Sequence, residues 1–353
     1  MVGGQALHGW QHTLFGRDST TEAGFQLRHD HIDVGLLHTE ARVPLGTTSD
    51  DHVSETGMGA YVQNTTAWLP WLRTLAGVRA DRVVMDVDDR LEEARARASG
   101  TKLSPKLSLV FGPWAKTEFF ANAGRGFHSN DARGVVDSAG AADAVPALVA
   151  SKGAELGLRS EIVPGLQTSL AFWRLDSDSE LVYSADAGTT VANGASKRHG
   201  IELNNHLVAG RWLLVDADMA WTHARFADAN ANGDAGSDIP NAVGKVGLFA
   251  LTVHQLGPWS AGLVTRYIGR YPLSQDGALS TPSSWVSNLQ VRRAITPRVA
   301  LTLDVLNLFD RKFYDIAYEQ DYRITPTGPV VPDGVTVHPG EPRQVRVSLT
   351  VRL

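Results

Sequence analysis

The chain has 353 residues, no cysteine, 43% hydrophobic residues, and a formal net charge of −5 from 33 basic and 38 acidic side chains. Without cysteine there is no disulfide framework, no thiolate zinc site and no cysteine nucleophile, and with its charges interspersed there is no basic block suited to nucleic acid. No run approaches the roughly eighteen apolar residues of a helical membrane span.

In chain order, turn chemistry recurs at Asp30–Asp33, Leu69–Trp71, Gly112–Trp114, Val163–Gly165, Ala209–Gly210, Gly257–Trp259 and Thr296–Arg298. Most of these carry Pro, which together with Gly favours tight connections. Between them lie longer polar stretches centred near Thr48, Glu93, Gly140, Ala187, Asn232, Gly277 and Pro326. Short turns alternating with long loops are the topology of an outer-membrane barrel, the short turns periplasmic and the long loops outside. Two strands per short turn, plus the terminal strand and one before Asp18, predict about 16 strands.

The segments between turns alternate with a period of two. Leu213, Val215, Ala217, Met219 and Trp221 oppose Asp216 and Asp218; Trp259, Ala261, Leu263 and Tyr267 oppose Ser260 and Arg266; Val345, Val347, Leu349 and Val351 oppose Arg346, Ser348, Thr350 and Arg352. Ala154, Leu156 and Leu158 likewise oppose Glu155 and Arg159. Such strands have one face for hydrocarbon and one for water. Their length suits a tilted crossing of a bilayer, which backbone hydrogen bonding permits only in a closed barrel. The fold class expected over residues 1–353 is therefore all-β, a transmembrane antiparallel β-barrel. Trp68, Trp71, Trp114 and Trp259 fall at or beside short turns, as an interfacial aromatic girdle requires.

The chemistry-bearing residues form no standard catalytic pattern. There is no phosphate-binding glycine loop, no nucleophile elbow and no HExxH helix, and His128, Ser129 and Asp131 are too close in sequence to converge as a triad. No enzyme activity and no cofactor are expected. Asp228, Asn230, Asn232 and Gly233 open like a calcium loop, but Ile239 replaces the closing Glu. His29 and His31 share a strand face, as metal ligands would; without a third ligand they read as wetted wall histidines. Asp216, Asp218, Glu155, Arg159 and Glu161 are expected to point into the lumen. The candidate ligand-binding cluster is Arg125, His128, Asn130, Asp131 and Arg133, where a strand runs into a long loop and two arginines can hold carboxylate, catecholate or phosphate oxygens.

The segment NLFDRKFYD (Asn307–Asp315), followed by the terminal alternating strand, resembles the closing strands of TonB-dependent outer-membrane receptors. WLRTLAGVRAD (Trp71–Asp81), SPKLSLVFGPW (Ser104–Trp114) and NAGRGFHSNDARG (Asn122–Gly134) extend the resemblance over most of the chain. It implies a 22-stranded barrel filled by an N-terminal plug, with a TonB-binding segment before the plug. Neither plug nor signal peptide is recognisable here, so the chain reads as the barrel portion of such a receptor, a fragment or the product of a gene starting upstream. The resemblance implies bacterial outer-membrane localisation and uptake of a scarce ligand such as a ferric siderophore or other metal complex. The partners it implies are outer-membrane lipid, the ligand, the TonB complex and the barrel-assembly machinery. Leu353 stands where an aromatic terminus is usual in the family. The alternatives are a passive 16-stranded general porin and a soluble β-rich carbohydrate-binding or hydrolytic domain.

Overall fold

The computed structural model describes residues 1–137, 145–184, 189–229, 235–325 and 327–352. Nineteen strands and one six-residue helix are found among them. The strands are β1 (Val2–Leu14), β2 (Arg17–Glu40), β3 (Val43–Leu69), β4 (Leu72–Asp89), β5 (Ala94–Trp114), β6 (Thr117–Ser129), β7 (Leu148–Ser160), β8 (Leu166–Ser177), β9 (Glu180–Ser184) and β10 (Thr189–Asn193). After these come β11 (Ser196–Ala209), β12 (Leu213–Phe226), β13 (Lys245–Leu256), β14 (Trp259–Ile268), β15 (Ser284–Thr296), β16 (Val299–Leu306), β17 (Tyr314–Tyr322), β18 (Val331–Pro339) and β19 (Gln344–Val351). Helix α1 is Ala132–Asp137. Fifteen strands form one sheet, paired in sequence order apart from the excursions β9–β10 and β17–β18, which make their own two-stranded sheets.

The chain divides into two compact units. The first comprises 1–111, 120–155 and 175–196; the second comprises 112–119, 156–174 and 197–353.

In the second unit the register carries the two-face pattern across six strands. Val215, Leu251, Leu263, Leu289, Val305 and Val345 are successive cross-strand partners, an apolar row running from β12 to β19. On the opposite face Gln290 pairs with Asp304, and Asp304 with Arg346. The apolar face is open: Val345, Val347, Leu349 and Val351 are 56–65% exposed. Left in water, each such side chain would forgo about 1.5–3 kcal/mol of burial. The row therefore calls for hydrocarbon as its solvent.

The first unit repeats this pattern. Ala23, Val62 and Val78 are cross-strand partners on the open apolar face, and Gly24, Tyr61 and Arg79 on the other. Gly24 is needed there, because a Cβ would fall 2.4 Å from the Tyr61 ring. The polar-side face also carries an apolar island of Val53, Val83, Met85 and Val87. Ala132, Val135 and Val136 of α1 cover it, with Ala147 and Leu148. Strands β2 and β3, at 24 and 27 residues, far exceed the roughly nine to eleven that a bilayer needs, so their hairpin projects beyond it.

Six of the seven expected short turns fall within about two residues of an observed one. The exception is Asp30–Asp33, which lies inside β2. The first short turn is instead Phe15–Gly16, with φ of 51° and 72°. The next connection is Ala41–Arg42, with φ of 46° and 69°, so Thr48 belongs to β3. The expected count of about 16 stands beside 15 main-sheet strands among the described residues. The strand before Asp18 accounts for the difference, being already a partner at the first turn. Gly140, Ala187, Asn232 and Pro326 lie outside the described residues.

Candidate functional site

The candidate cluster sits where β6 leaves the sheet. Asn130 is 4% exposed; its backbone N–H donates to Ala147 O (3.2 Å) and its Nδ2 to Pro146 O (2.8 Å), which closes the neck of the excursion. Asp131 Oδ1 accepts from the Arg133 backbone N–H at 3.0 Å, in the manner of a helix cap, while Arg133 Nη2 returns to Asp131 Oδ2 at 2.7 Å. Arg133 also approaches Asp51 at 3.8 Å. These three residues come together and dock α1 on its apolar island. His128 Nε2 and Asn130 Oδ1 are buried with no hydrogen-bond partner among the described residues.

Arg125 is placed elsewhere, on a recess of about 390 Å³ that it lines together with, among others, Glu22, Gln26, Tyr61, Gln63, Arg79, Ser104 and Lys106. The period of two and the strand registers bring the side chains of β2 to β5 among these to one polar face, and Arg125 of β6 borders it. Tyr61 Oη donates to Glu22 Oε1 at 2.7 Å, and Gln63 Nε2 to the same oxygen at 3.1 Å. Arg79 is paired with Asp81 at 2.7 Å. Among the described residues no ion pair is made by Arg125 or Lys106. The recess therefore presents two uncommitted cations, and Lys106 is a member that sequence reasoning missed. Its signal was available, since Ser104, Lys106 and Ser108 alternate with Leu103, Pro105 and Leu107.

The second unit holds a recess of about 500 Å³ on its own polar face, lined among others by Glu118, Arg159, Glu161, Gln167, His206, Asp216 and Asp218. His206 Nδ1 meets Asp216 Oδ1 at 2.5 Å, and Arg159 Nη2 meets Glu118 Oε2 at 2.6 Å. Four of the five expected lumen residues line it. Glu155 belongs to the first unit, where it accepts from Asn122 Nδ2 at 3.1 Å. Of the calcium-like loop, Asn230, Asn232 and Gly233 lie outside the described residues.

At the edges of the apolar face, Trp71, Trp114 and Trp259 are 41–49% exposed, joined by Trp212, which the sequence reading did not name. Arg293 lies 5.1 Å over the Trp259 ring. Buried Asn307 is a polar clamp: its Nδ2 donates to Arg311 O (2.9 Å) and Glu341 O (3.0 Å), and its Oδ1 accepts from the Arg311 N–H (2.9 Å). Its φ of 47° suits Asn, which tolerates the left-handed region.

A long antiparallel sheet with an open hydrocarbon-seeking face, tryptophans at its margin and charged recesses on its other face is the wall of an outer-membrane β-barrel. The chain belongs to the TonB-dependent receptor-like β-barrel family, whose model matches residues 2–308. That family is of the bacterial outer membrane, and its members are transporters rather than enzymes. The metal-pseudopaline receptor CntO of Pseudomonas aeruginosa strain PAO1 is 25% identical over 98% of this chain and 48% of its own length. The ferric-catecholate import receptor Fiu from K12 E. coli superposes with a TM-score of 0.75 at 16% identity, over 99% of this chain and 54% of that one. The ferric citrate transporter FecA gives 0.76 at 14% identity, with the same coverage. The chain thus spans about half the length of these relatives.

Proposed function

We propose that this barrel serves TonB-energised uptake of a scarce anionic metal complex, of which ferric siderophores are the type. The observation that carries the reading is the recess lined by Arg125 and Lys106, neither of which makes an ion pair among the described residues. Cations on a rigid wall recognise catecholate, hydroxamate or carboxylate oxygens around a bound metal. The cargo named for CntO, Fiu and FecA, a metal complex in each case, supports the same class. In this scheme Arg125 and Lys106 attract the complex, and the strap closed by Asn130, Asp131 and Arg133 forms one rim of its path. Energy reaches the barrel through a plug and the TonB complex.

The test is uptake of radiolabelled ferric complexes by cells whose only receptor is the full-length protein. The doubly reversed variant Arg125→Glu/Lys106→Glu is expected to lose binding at least tenfold while assembling normally. Unchanged uptake of every anionic complex that the parent takes up would overturn the assignment.

A further inference from the structure

The face of the first unit opposite the recess carries a second chemistry. His29 and His31 of β2 point the same way as Phe25 and Leu27 earlier in the strand, and the register sets them beside Thr56 and Ser54 of β3. Their Nε2 atoms face each other at 2.9 Å, with ring centroids 4.4 Å apart and planes at 87°. His29 Nδ1 lies 2.8 Å from Thr56 Oγ1. His52, brought opposite Asp33 by the same register, stacks on His31 with centroids 5.7 Å apart and holds Asp33 Oδ1 at 3.1 Å through Nδ1.

The height of the pair on the wall follows from strand geometry. His29 is 29 − 16 = 13 residues beyond Gly16, roughly 43 Å along the strand at about 3.3 Å per residue. With a tilt of about 40° that is roughly 33 Å along the membrane normal, above an apolar band about 25 Å tall. The pair therefore stands in the aqueous layer outside the bilayer.

We propose that His29 and His31 form a two-imidazole chelate for a borderline divalent transition metal on the outward surface of the receptor, separate from the cargo path. Nitrogens 2.9 Å apart share one hydrogen. With His29 Nδ1–H donating to Thr56, the His29 Nε2 lone pair accepts from His31 Nε2–H. A divalent cation takes that hydrogen's place once His31 moves it to Nδ1, a change of tautomer with no net proton loss. Two cis nitrogens each about 2.0–2.1 Å from a metal stand about 2.9 Å apart in a square-planar site and about 3.3 Å apart in a tetrahedral one, so the spacing changes little and the rings need mainly to turn until both lone pairs meet at the metal. Thr56 then fixes the ring of His29 from behind, as outer partners of metal-bound histidines do. Among the described residues no three His, Cys, Asp or Glu side chains converge, so water fills the other positions. Neutral imidazole donors with open positions favour Cu²⁺ over Ni²⁺ and Zn²⁺, and all three over Mg²⁺ or Ca²⁺.

The experiment is Cu²⁺ electron paramagnetic resonance on the full-length receptor in detergent, with CuCl2 added at one equivalent. Folding of each variant is checked by heat-modifiable migration. The parent should show two equatorial nitrogens, His31→Asn one, and His29→Asn/His31→Asn none, with affinity at least tenfold weaker. His199→Asn alters another histidine contact, His199–His223 at 5.1 Å, and should leave the signal intact. Equal copper binding by the double variant, or loss of the signal in His199→Asn, would overturn the proposal.

Discussion

The polar-side faces of the two units solve one problem differently. In the first, an apolar island interrupts the polar face, and the chain supplies its own cover, α1 with Ala147 and Leu148, so that Met85 is fully buried. In the second, the face stays polar and its charges pair with one another, Asp216 with His206 and Glu118 with Arg159. The first arrangement docks α1 through hydrophobic contact; the second keeps a hydrated surface whose ion pairs contribute little each. The docking of α1 therefore originates at the island, while the second unit's recess is left free to exchange water for other polar groups.

The largest effect expected from breaking this comparison lies at the buried polar clamp of the second unit. Asn307→Ala removes three side-chain hydrogen bonds and strands their backbone partners, costing about 3–4 kcal/mol. Urea unfolding from lipid vesicles measures the loss. Met85→Ala in the first unit should cost about 2–3 kcal/mol and release the strap. Faster hydrogen exchange at residues 130–136, with the β12–β16 amides unchanged, reports it. Asp216→Asn, in a half-exposed pair, should change stability by less than about 1 kcal/mol in the same urea assay.

The smallest effect is the response of the β2–β3 tip to acid. Hydrogen bonds from His52 and then Arg90 hold the Asp33 carboxyl below the usual carboxylate range, and Arg95 does the same for Asp88. A depressed folded-state pKa gives stability that is complete above the ordinary carboxylate pKa and disappears as pH falls through the lowered value. Exchange at the tip should therefore accelerate only below the ordinary carboxylate range, while the α1 strap, held by apolar contacts, stays protected.

Much of the wall was legible because side-chain alternation is a local property and register merely repeats it. The first turns were not, for a specific reason. Phe15–Gly16 and Ala41–Arg42 each place two successive residues at positive φ, a geometry usually announced by Asn-Gly or Asp-Gly. Phe-Gly and Ala-Arg carry no such mark, whereas Asp30–Asp33 resembles a turn yet continues β2. Helix α1 has six residues, too few for a 3.6-residue period to show. Of the candidate site, the sequence placed Asn130, Asp131 and Arg133 together, but Lys106 joins Arg125 only through strand pairing. His52 reaches the His29–His31 pair in the same way, 52 − 31 = 21 positions along the chain.

The pairing of β12 through β16 with β19, in register except beside the turns at Val253–Leu256 and Ala294–Thr296, sets a rule for how the gene can change. Deleting one codon inside β14 would turn every later side chain of that strand around, sending Leu263 toward water and Arg266 toward oil. Deleting two would shorten the strand and preserve the sense of each remaining position. Length variants of this protein are therefore expected in even steps within the sheet and in any step within its external connections.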